Sequence, residues 1–255
     1  MSQLKRIHDA HIHVGQFREI YETPEELVAT LTKVGVERFA VSSSTICEED
    51  YDKVIREIKG LVTLAPDRVV PVMWITPLSL RNGGKDKLLD SGINWKCVKI
   101  HPWISLGGWD DGSANREEAI SIARELGVPL LIHTGETDGS NPLCFERSVE
   151  THKDVTFILA HGRPVSEAIE VMRKHENAWA DTAFMPIENI AKLCQEGLSD
   201  RVMWGSDYPI TKYYYPDVDT KTYYHDLIQK LKDAVSQEDF EKVTYKNFEK
   251  PKIRN

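Results

Sequence analysis

The stretch from Cys97 to His161 decides the fold class, because one pattern occurs in it three times. Its short apolar segments are CVKIH (97–101), VPLLIH (128–133) and VTFILAH (155–161). The longer segments between them mix polar and apolar residues at helical spacing and are 115–126 and 142–152. Short apolar strands that alternate with helices are typical of a parallel sheet buried on both faces. This stretch therefore predicts an α/β fold.

The same alternation continues toward both ends of the chain. The other predicted strands are 6–14, 38–43, 69–76, 178–184 and 201–206. The first helix is predicted to follow a Thr23 cap, with Pro24 at its first position and Gly35 at its end. The remaining predicted helices are 49–64, 85–90, 165–175 and 187–196, with one or two more between about 220 and 248. Eight strand–helix units in about 250 residues predict a (β/α)8 TIM barrel.

We predict one barrel domain over 1–255, with C-terminal helices from about 220. No linker or low-complexity segment divides the sequence. An open, doubly wound sheet is the alternative. It usually has fewer strands, and no Gly-rich phosphate loop follows the first predicted strand.

Composition excludes several classes of protein. The chain has 255 residues, of which 41% are hydrophobic and 28% charged, which argues against a disordered or fibrous chain. Its net charge of −8 argues against binding to a nucleic-acid backbone. No apolar run is long enough to span a bilayer, and the N-terminus does not resemble a signal peptide. With four widely spaced cysteines, these features predict a cytoplasmic protein with reduced thiols, no membrane partner and no nucleic-acid partner.

Polar side chains stand at the ends of several predicted strands. They are His11 and His13 on strand one, His133 on strand five, His161 on strand six and Asp207 after strand eight. Each has an ordinary structural explanation when taken alone, such as a strand-to-loop junction or a turn. In a barrel these strand ends converge on one mouth. Three imidazoles and a carboxylate together suit Zn²⁺ or a similar divalent ion.

The local motifs resemble those of the amidohydrolase superfamily, in the branch called amidohydrolase-related or amidohydrolase 2. They are VKIHP (98–102), IHTGE (132–136), ILAHG (158–162) and GSDYP (205–209). The resemblance extends from residue 6 to about residue 249. That branch contains hydrolases, decarboxylases and hydratases, so the resemblance implies a metal site more firmly than it implies one reaction.

The resemblance also implies roles for individual residues. His11, His13, His133 and Asp207 would hold the metal. Asp207 would accept a proton from a metal-activated water and later deliver it to the leaving group. His161 would lie beside the metal and orient or deprotonate the water, a role that suits a neutral imidazole.

Lys99 has three interpretations. In binuclear relatives a carbamylated lysine on this strand bridges two ions, with His133 and His161 on the second ion. Alternatively, Lys99 pairs with a substrate carboxylate, or it is a structural cation beside Asp207 or Asp181. We favour one Zn²⁺ with a cationic Lys99, and expect two ions if Lys99 is carbamylated.

The candidate substrate-binding residues are Lys99, His101, Trp103 and Arg163. His101 has a helix-cap role before Pro102 as its alternative, and Arg163 has an outward-facing surface position. The loops after strands four and eight, 101–112 and 211–224, carry tryptophans and tyrosines that can wall a substrate or form a lid. Such aromatic residues are also enriched at protein contacts, which makes a homodimer plausible.

The leading functional hypothesis is a metal-dependent hydrolase of a small organic amide, ester or lactone. The alternative is a metal-dependent decarboxylase or lyase that acts on a small carboxylic acid. A metal-dependent deoxyribonuclease is disfavoured by the acidic charge, and because Lys99 and His101 stand where such relatives carry a carboxylate. A non-enzymatic binding protein built on a barrel that has lost its activity is disfavoured because every expected metal ligand is present.

Overall fold

A computed structural model describes residues 6–104, 108–135 and 139–251. Its strands are β1 (Ile7–Phe17), β2 (Ile20–Glu22), β3 (Val36–Ser43), β4 (Val69–Trp74), β5 (Cys97–Ile100), β6 (Leu130–His133), β7 (Phe157–Ala160), β8 (Ala178–Asp181) and β9 (Val202–Met203). Its α-helices are α1 (Pro24–Val34), α2 (Tyr51–Leu64), α3 (Gly84–Leu89), α4 (Ala114–Leu126), α5 (Glu146–Thr151), α6 (Val165–Lys174), α7 (Ile187–Gln195), α8 (Ile210–Tyr214), α9 (Thr220–Ala234) and α10 (Gln237–Glu241). No helix in the described ranges combines the length and apolar character needed to cross a bilayer.

The strands form one curled sheet that closes on itself. Their order is β2-β1-β3-β4-β5-β6-β7-β8-β9, and all neighbours are parallel except the β1–β2 hairpin. The segment after β9 returns to β1 through backbone hydrogen bonds from Ala10 N to Trp204 O (2.8 Å) and from Asp207 N to His11 O (2.8 Å). This closure confirms the predicted (β/α)8 TIM barrel.

The side chains that point into the barrel form an apolar layer and, closer to the carboxyl ends of the strands, a polar layer. Val72, Cys97, Leu131 and Trp179 belong to a buried apolar cluster inside the barrel. Side chains two residues apart on a strand share a face. The residues two positions further along each strand are Trp74, Lys99, His133 and Asp181, so the next layer is rich in polar and charged groups.

The first helix begins and ends where the sequence indicates. The Thr23 side chain accepts a hydrogen bond from Glu26 N, and the Glu26 carboxylate accepts one from Thr23 N, which forms a capping box. Gly35 ends the helix with φ of 85°, a left-handed conformation that glycine adopts without a Cβ clash.

Three features differ from the sequence prediction. The β1–β2 hairpin was not predicted, and β1 runs three residues beyond the predicted end at 14. The predicted loop 211–224 is partly helical, and Tyr224 lies buried on α9, where its hydroxyl donates to Asp9 (2.9 Å). Trp109 is also buried rather than placed at the mouth. The termini and residues 105–107 of the predicted loop 101–112 lie outside the described residues.

Arg116 on α4 is a buried cation that holds the loop after β5. Its guanidinium donates to the backbone oxygens of Trp109 and Cys144, the latter at 2.8 Å. Replacing Arg116 with Met leaves these carbonyls unpaired, so we expect the free energy of unfolding in urea to fall by about 3 kcal/mol. Arg124→Met is the matched control. Arg124 pairs with Asp154 at the surface, and its loss should cost at most about 1 kcal/mol. Equal losses for the two variants would contradict a structural role for Arg116.

Candidate active site

A cavity of about 700 Å³ opens at the carboxyl ends of the parallel strands. It is lined by all the residues singled out from the sequence, which are His11, His13, Lys99, His101, Trp103, His133, His161, Arg163 and Asp207. Residues that were not predicted also line the cavity, including Phe17 and Arg18 of the β1–β2 hairpin and Phe184 after β8. Glu136 lies outside the described residues.

His11, His13 and Asp207 bring three ligand atoms together. The Oδ1 atom of Asp207 lies 3.1 Å from His13 Nε2 and 3.4 Å from His11 Nε2. All three side chains are buried, and their ligand atoms lie within 4.8 Å of one another. The backbone bonds that close the barrel produce this arrangement, because Asp207 N donates to His11 O and His13 N donates to Tyr208 O.

The hydrogen bonds of the other ring nitrogens determine which atoms face the cavity. His11 Nδ1 lies 3.0 Å from Asp181 Oδ2, and His161 Nδ1 lies 3.0 Å from the backbone oxygen of Ala183. Both oxygens only accept, so each Nδ1 carries the proton and each Nε2 offers a lone pair when the ring is neutral. His13 Nδ1 is likewise engaged, 3.1 Å from Ser42 Oγ.

Burial keeps the imidazoles of His13, His133 and His161 in their neutral form near pH 7. It lowers the pKa of His13 to about 3, with the charge of Lys99 as a further cause, and it lowers the pKa of His161 to about 4. Burial also holds the pKa of His133 well below its ordinary value. Burial alone would raise the pKa of Asp207, but His11 and the hydrogen bond with His13 hold it well below the usual range. A neutral imidazole and an ionised carboxylate are the forms that bind a metal cation.

Lys99 lies against two of the three candidate ligands, His11 and His13. Its Nζ atom is 2.8 Å from His11 Nε2 and 3.1 Å from His13 Nε2, and it stands over the Trp74 ring at 4.5 Å from the centroid. Burial lowers the pKa of Lys99 to about 8, against the carboxylates of Asp207 and Asp181, which raise it. The Lys99 ammonium therefore places a positive charge next to the Nε2 atoms of His11 and His13.

His133 lies in the cavity but beside this group rather than within it. Its ring stacks on His101 with the centroids 3.7 Å apart, and its centroid is 4.6 Å from that of His161. His101 in turn stacks on Trp74, and its Nδ1 accepts from the backbone N of Ile104 (3.2 Å). Among the described residues, the groups whose ligand atoms converge do not include His133.

Asp181 is a buried carboxylate that the sequence suggested only as a partner of Lys99 and not as a candidate metal ligand. Besides its contact with His11, it accepts hydrogen bonds from the backbone N of His161 (2.9 Å) and of Ala183 (3.0 Å). It forms a second potential ligand group with His11 and His161. The available signal was a charged residue that follows Ala178, Trp179 and Ala180, but the predicted strand ran on to residue 184 and so missed a strand end.

Three residues that follow the parallel strands around the cavity have strained backbone conformations. His161, Phe184 and Asp207 have φ of 66°, 53° and 60°, in the left-handed region that non-glycine residues seldom occupy. Such outliers persist where surrounding contacts enforce them, and they concentrate at functional sites. His161 directly follows β7, whereas Phe184 lies three residues beyond β8 and Asp207 four residues beyond β9, and all three side chains line the cavity.

The outer part of the cavity is mostly aromatic. Trp103 is 53% exposed and stacks on His133 with the centroids 6.1 Å apart. Tyr214 at the end of α8 and Tyr215 after it, both within the segment predicted as a loop, also line the cavity and contact Phe184. Arg163 is half-buried in the cavity wall. These side chains surround a space large enough for a small organic molecule.

Solved structures with the same fold cover nearly the whole chain. An uncharacterised TIM-barrel protein from Bordetella bronchiseptica is 17% identical, with a TM-score of 0.71 over 96% of this chain and 97% of that chain. A probable 2-pyrone-4,6-dicarboxylic acid hydrolase from Acinetobacter baumannii is 13% identical, with a TM-score of 0.66 over 96% and 98%. A 5-carboxyvanillate decarboxylase from Sphingomonas paucimobilis is 11% identical, with a TM-score of 0.65 over 95% and 97%. At these identities the likeness shows the fold alone.

No curated protein matches this chain in sequence. A family model described as amidohydrolase, however, matches residues 9–250. The match includes the strand-end histidines and Asp207, and it agrees with the resemblance in the local motifs. The chain therefore belongs to the amidohydrolase family of metal-dependent enzymes.

Proposed function

We propose that this protein is a metal-dependent hydrolase that uses an activated water to cleave a small organic amide, ester or lactone. The observation that carries the proposal is the convergence of His11 Nε2, His13 Nε2 and Asp207 Oδ1 at the base of a cavity with aromatic walls. Family membership indicates an enzyme, and the converging ligand atoms support a reaction that depends on a bound metal ion.

The donor set fits a divalent cation, and Zn²⁺ is our choice. Two neutral imidazoles and one carboxylate are ligands that Zn²⁺ accepts in catalytic sites, where a further position stays open to water. Hydrogen bonds to His11 Nδ1 and His13 Nδ1 orient both rings, as is usual for metal-binding histidines. We assign His11, His13 and Asp207 as ligands, with His133 as the fourth candidate. A bound Zn²⁺ would supply hydroxide at neutral pH by lowering the pKa of a water to about 7.

The side chains around this position have separate tasks. Asp207, held ionised, accepts a proton from the attacking water and returns it to the leaving group. His161 has its Nδ1 proton engaged by Ala183 O, which leaves Nε2 to orient or deprotonate the water. Lys99, His101, Trp103 and Arg163 bind and orient the substrate. The Acinetobacter relative is described as a probable hydrolase of a pyrone dicarboxylic acid, a cyclic ester, which is one of the substrate types proposed here.

The second candidate is a decarboxylase or lyase that acts on a small carboxylic acid. The position of Lys99 favours it, because an ammonium beside His11 and His13 can pair with the carboxylate that is lost. The Sphingomonas relative is described as such a decarboxylase. The two candidates share the metal site and differ in what leaves the substrate.

The first test is metal content. We expect elemental analysis to find about one Zn²⁺ per chain, and His13→Ala to remove most of it. His152→Ala is the matched control, because His152 lies outside the cavity beside Glu117 and should leave the metal content unchanged. A wild-type protein that binds neither Zn²⁺ nor Mn²⁺ would refute the proposed site.

The second test separates the two reactions. The protein, stripped by a chelator and reloaded, is assayed on lactones and esters for acid release, and on carboxylated aromatic compounds for carbon dioxide release. We expect hydrolysis that disappears on chelation and returns with Zn²⁺. Carbon dioxide release without hydrolysis would select the decarboxylase instead. The cytoplasmic location and the homodimer stay predictions.

A further inference from the structure

The β1–β2 hairpin brings an arginine to the mouth of the cavity. Gln16, Phe17 and Arg18 all line the cavity, and Arg18 occupies the turn with φ of 50°. Phe17 pairs with Ile20 across the turn, and the Gln16 side chain donates to the backbone oxygens of Arg18 (2.5 Å) and Ile20 (3.3 Å). The hairpin is therefore tied internally at its tip, even though it extends beyond the barrel.

Arg18 is held by neutral groups. Its Nη1 donates to the Tyr213 hydroxyl (2.5 Å), and its guanidinium carbon lies 4.7 Å from the centre of the Tyr213 ring. The Phe17 ring packs edge-on against the same tyrosine, with the centroids 5.8 Å apart. Within the part of the chain that the structure describes, no carboxylate forms an ion pair with Arg18. The aromatic contacts fix the guanidinium without neutralising its charge.

The position of Arg18 separates it from the proposed metal ligands. It follows His13 by five residues along β1, which is about 16 Å of extended chain. The cavity lining includes the apolar and aromatic side chains of Ile210 and Tyr214, and it also includes the carboxylate of Glu48. A positive charge at the rim of such a cavity attracts an anionic group that lies away from the reacting bond, and a planar guanidinium suits a carboxylate in particular.

We propose that Arg18 is a specificity-determining residue, which binds a carboxylate at the end of the substrate remote from the metal site. The inference rests on the proposed function and narrows its substrate class to esters, amides or lactones that carry a separate carboxylate.

The test compares dicarboxylates with their mono-amides, so that only the charge at one end changes. Terephthalate and biphenyl-4,4′-dicarboxylate give two lengths, and calorimetry on the zinc-loaded protein measures binding. We expect wild type to bind at least one dicarboxylate about tenfold more tightly than its mono-amide. Arg18→Gln should abolish this preference, and Arg18→Lys should retain part of it.

Tyr213→Phe is the control for a purely structural role. It removes the hydroxyl that accepts a hydrogen bond from the guanidinium, but it leaves the charge of Arg18 and the aromatic rings at positions 17 and 213. If Arg18 only fastens the hairpin to α8, then Arg18→Gln and Tyr213→Phe will weaken the dicarboxylate and the mono-amide equally, which would overturn the inference. Absence of binding or of any preference in wild type, at both lengths, would also overturn it. Metal content and turnover of an uncharged lactone test the proposed function separately, because neither depends on Arg18 recognising a charge.

Discussion

Replacing Asp207 with Asn should lower kcat/KM by at least about 10³-fold, even with saturating Zn²⁺. Asparagine has nearly the same shape but neither accepts a proton at neutral pH nor offers an anionic ligand. Loss of a general base alone costs about 10²- to 10⁴-fold. Asp207 is also the carboxylate among the three converging ligand atoms, so metal affinity should fall as well.

Asp181→Asn is the matched comparison, because it changes a second buried carboxylate of the same site. Asp181 contacts His11 Nδ1 and orients the ring without facing His13. Removing such a partner usually weakens metal binding by about 10- to 100-fold. Activity of Asp181→Asn should therefore recover at high Zn²⁺, and that of Asp207→Asn should not. Full recovery of both variants would show that Asp207 only binds the metal and moves no proton.

The arrangement of the ligands could be predicted because it depends on rules that act along each strand. Parallel strands place their carboxyl ends at one mouth, and side-chain alternation puts Lys99 and His133 on the inner face, each two residues beyond a buried apolar residue. The position of Asp207 follows from the same closure, since its backbone N bonds to His11 O. A prediction from strand alternation and barrel closure does not depend on the conformation of the loops.

The hairpin at the rim of the cavity could not be predicted, because its turn departs from sequence preferences. The hairpin turn between Phe17 and Ile20 contains Arg18 and Glu19, where such turns ordinarily use Gly or Asn. The distances of His133 and Lys99 from His11, His13 and Asp207 depend on packing between strands and on ring stacking, which cannot be derived from the sequence alone.

Lys99→Met should bind Zn²⁺ at least about tenfold more tightly than wild type, with one ion per chain in both proteins. In the structure, Lys99 Nζ contacts the same Nε2 atoms of His11 and His13 that would hold the metal. An ammonium and a divalent cation repel each other there. Two unit charges 4 Å apart repel by about 4 kcal/mol at an effective dielectric constant of 20. Methionine keeps the apolar stem over Trp74 and removes the charge.

Lys53→Met is the control, since the Lys53 amine also lies over an aromatic ring, 4.6 Å from the Tyr21 centroid, but outside the cavity lining. It should leave zinc affinity unchanged. Titration with a competing chelator gives the affinity, and elemental analysis gives the number of ions. If wild type holds two ions and Lys99→Met loses one, Lys99 is a carbamylated bridge and the single-ion site is wrong. If the variant gains zinc affinity but loses substrate affinity, Lys99 is a cation that binds the substrate. Its amine then lies next to the bound metal ion, where the two positive charges repel each other.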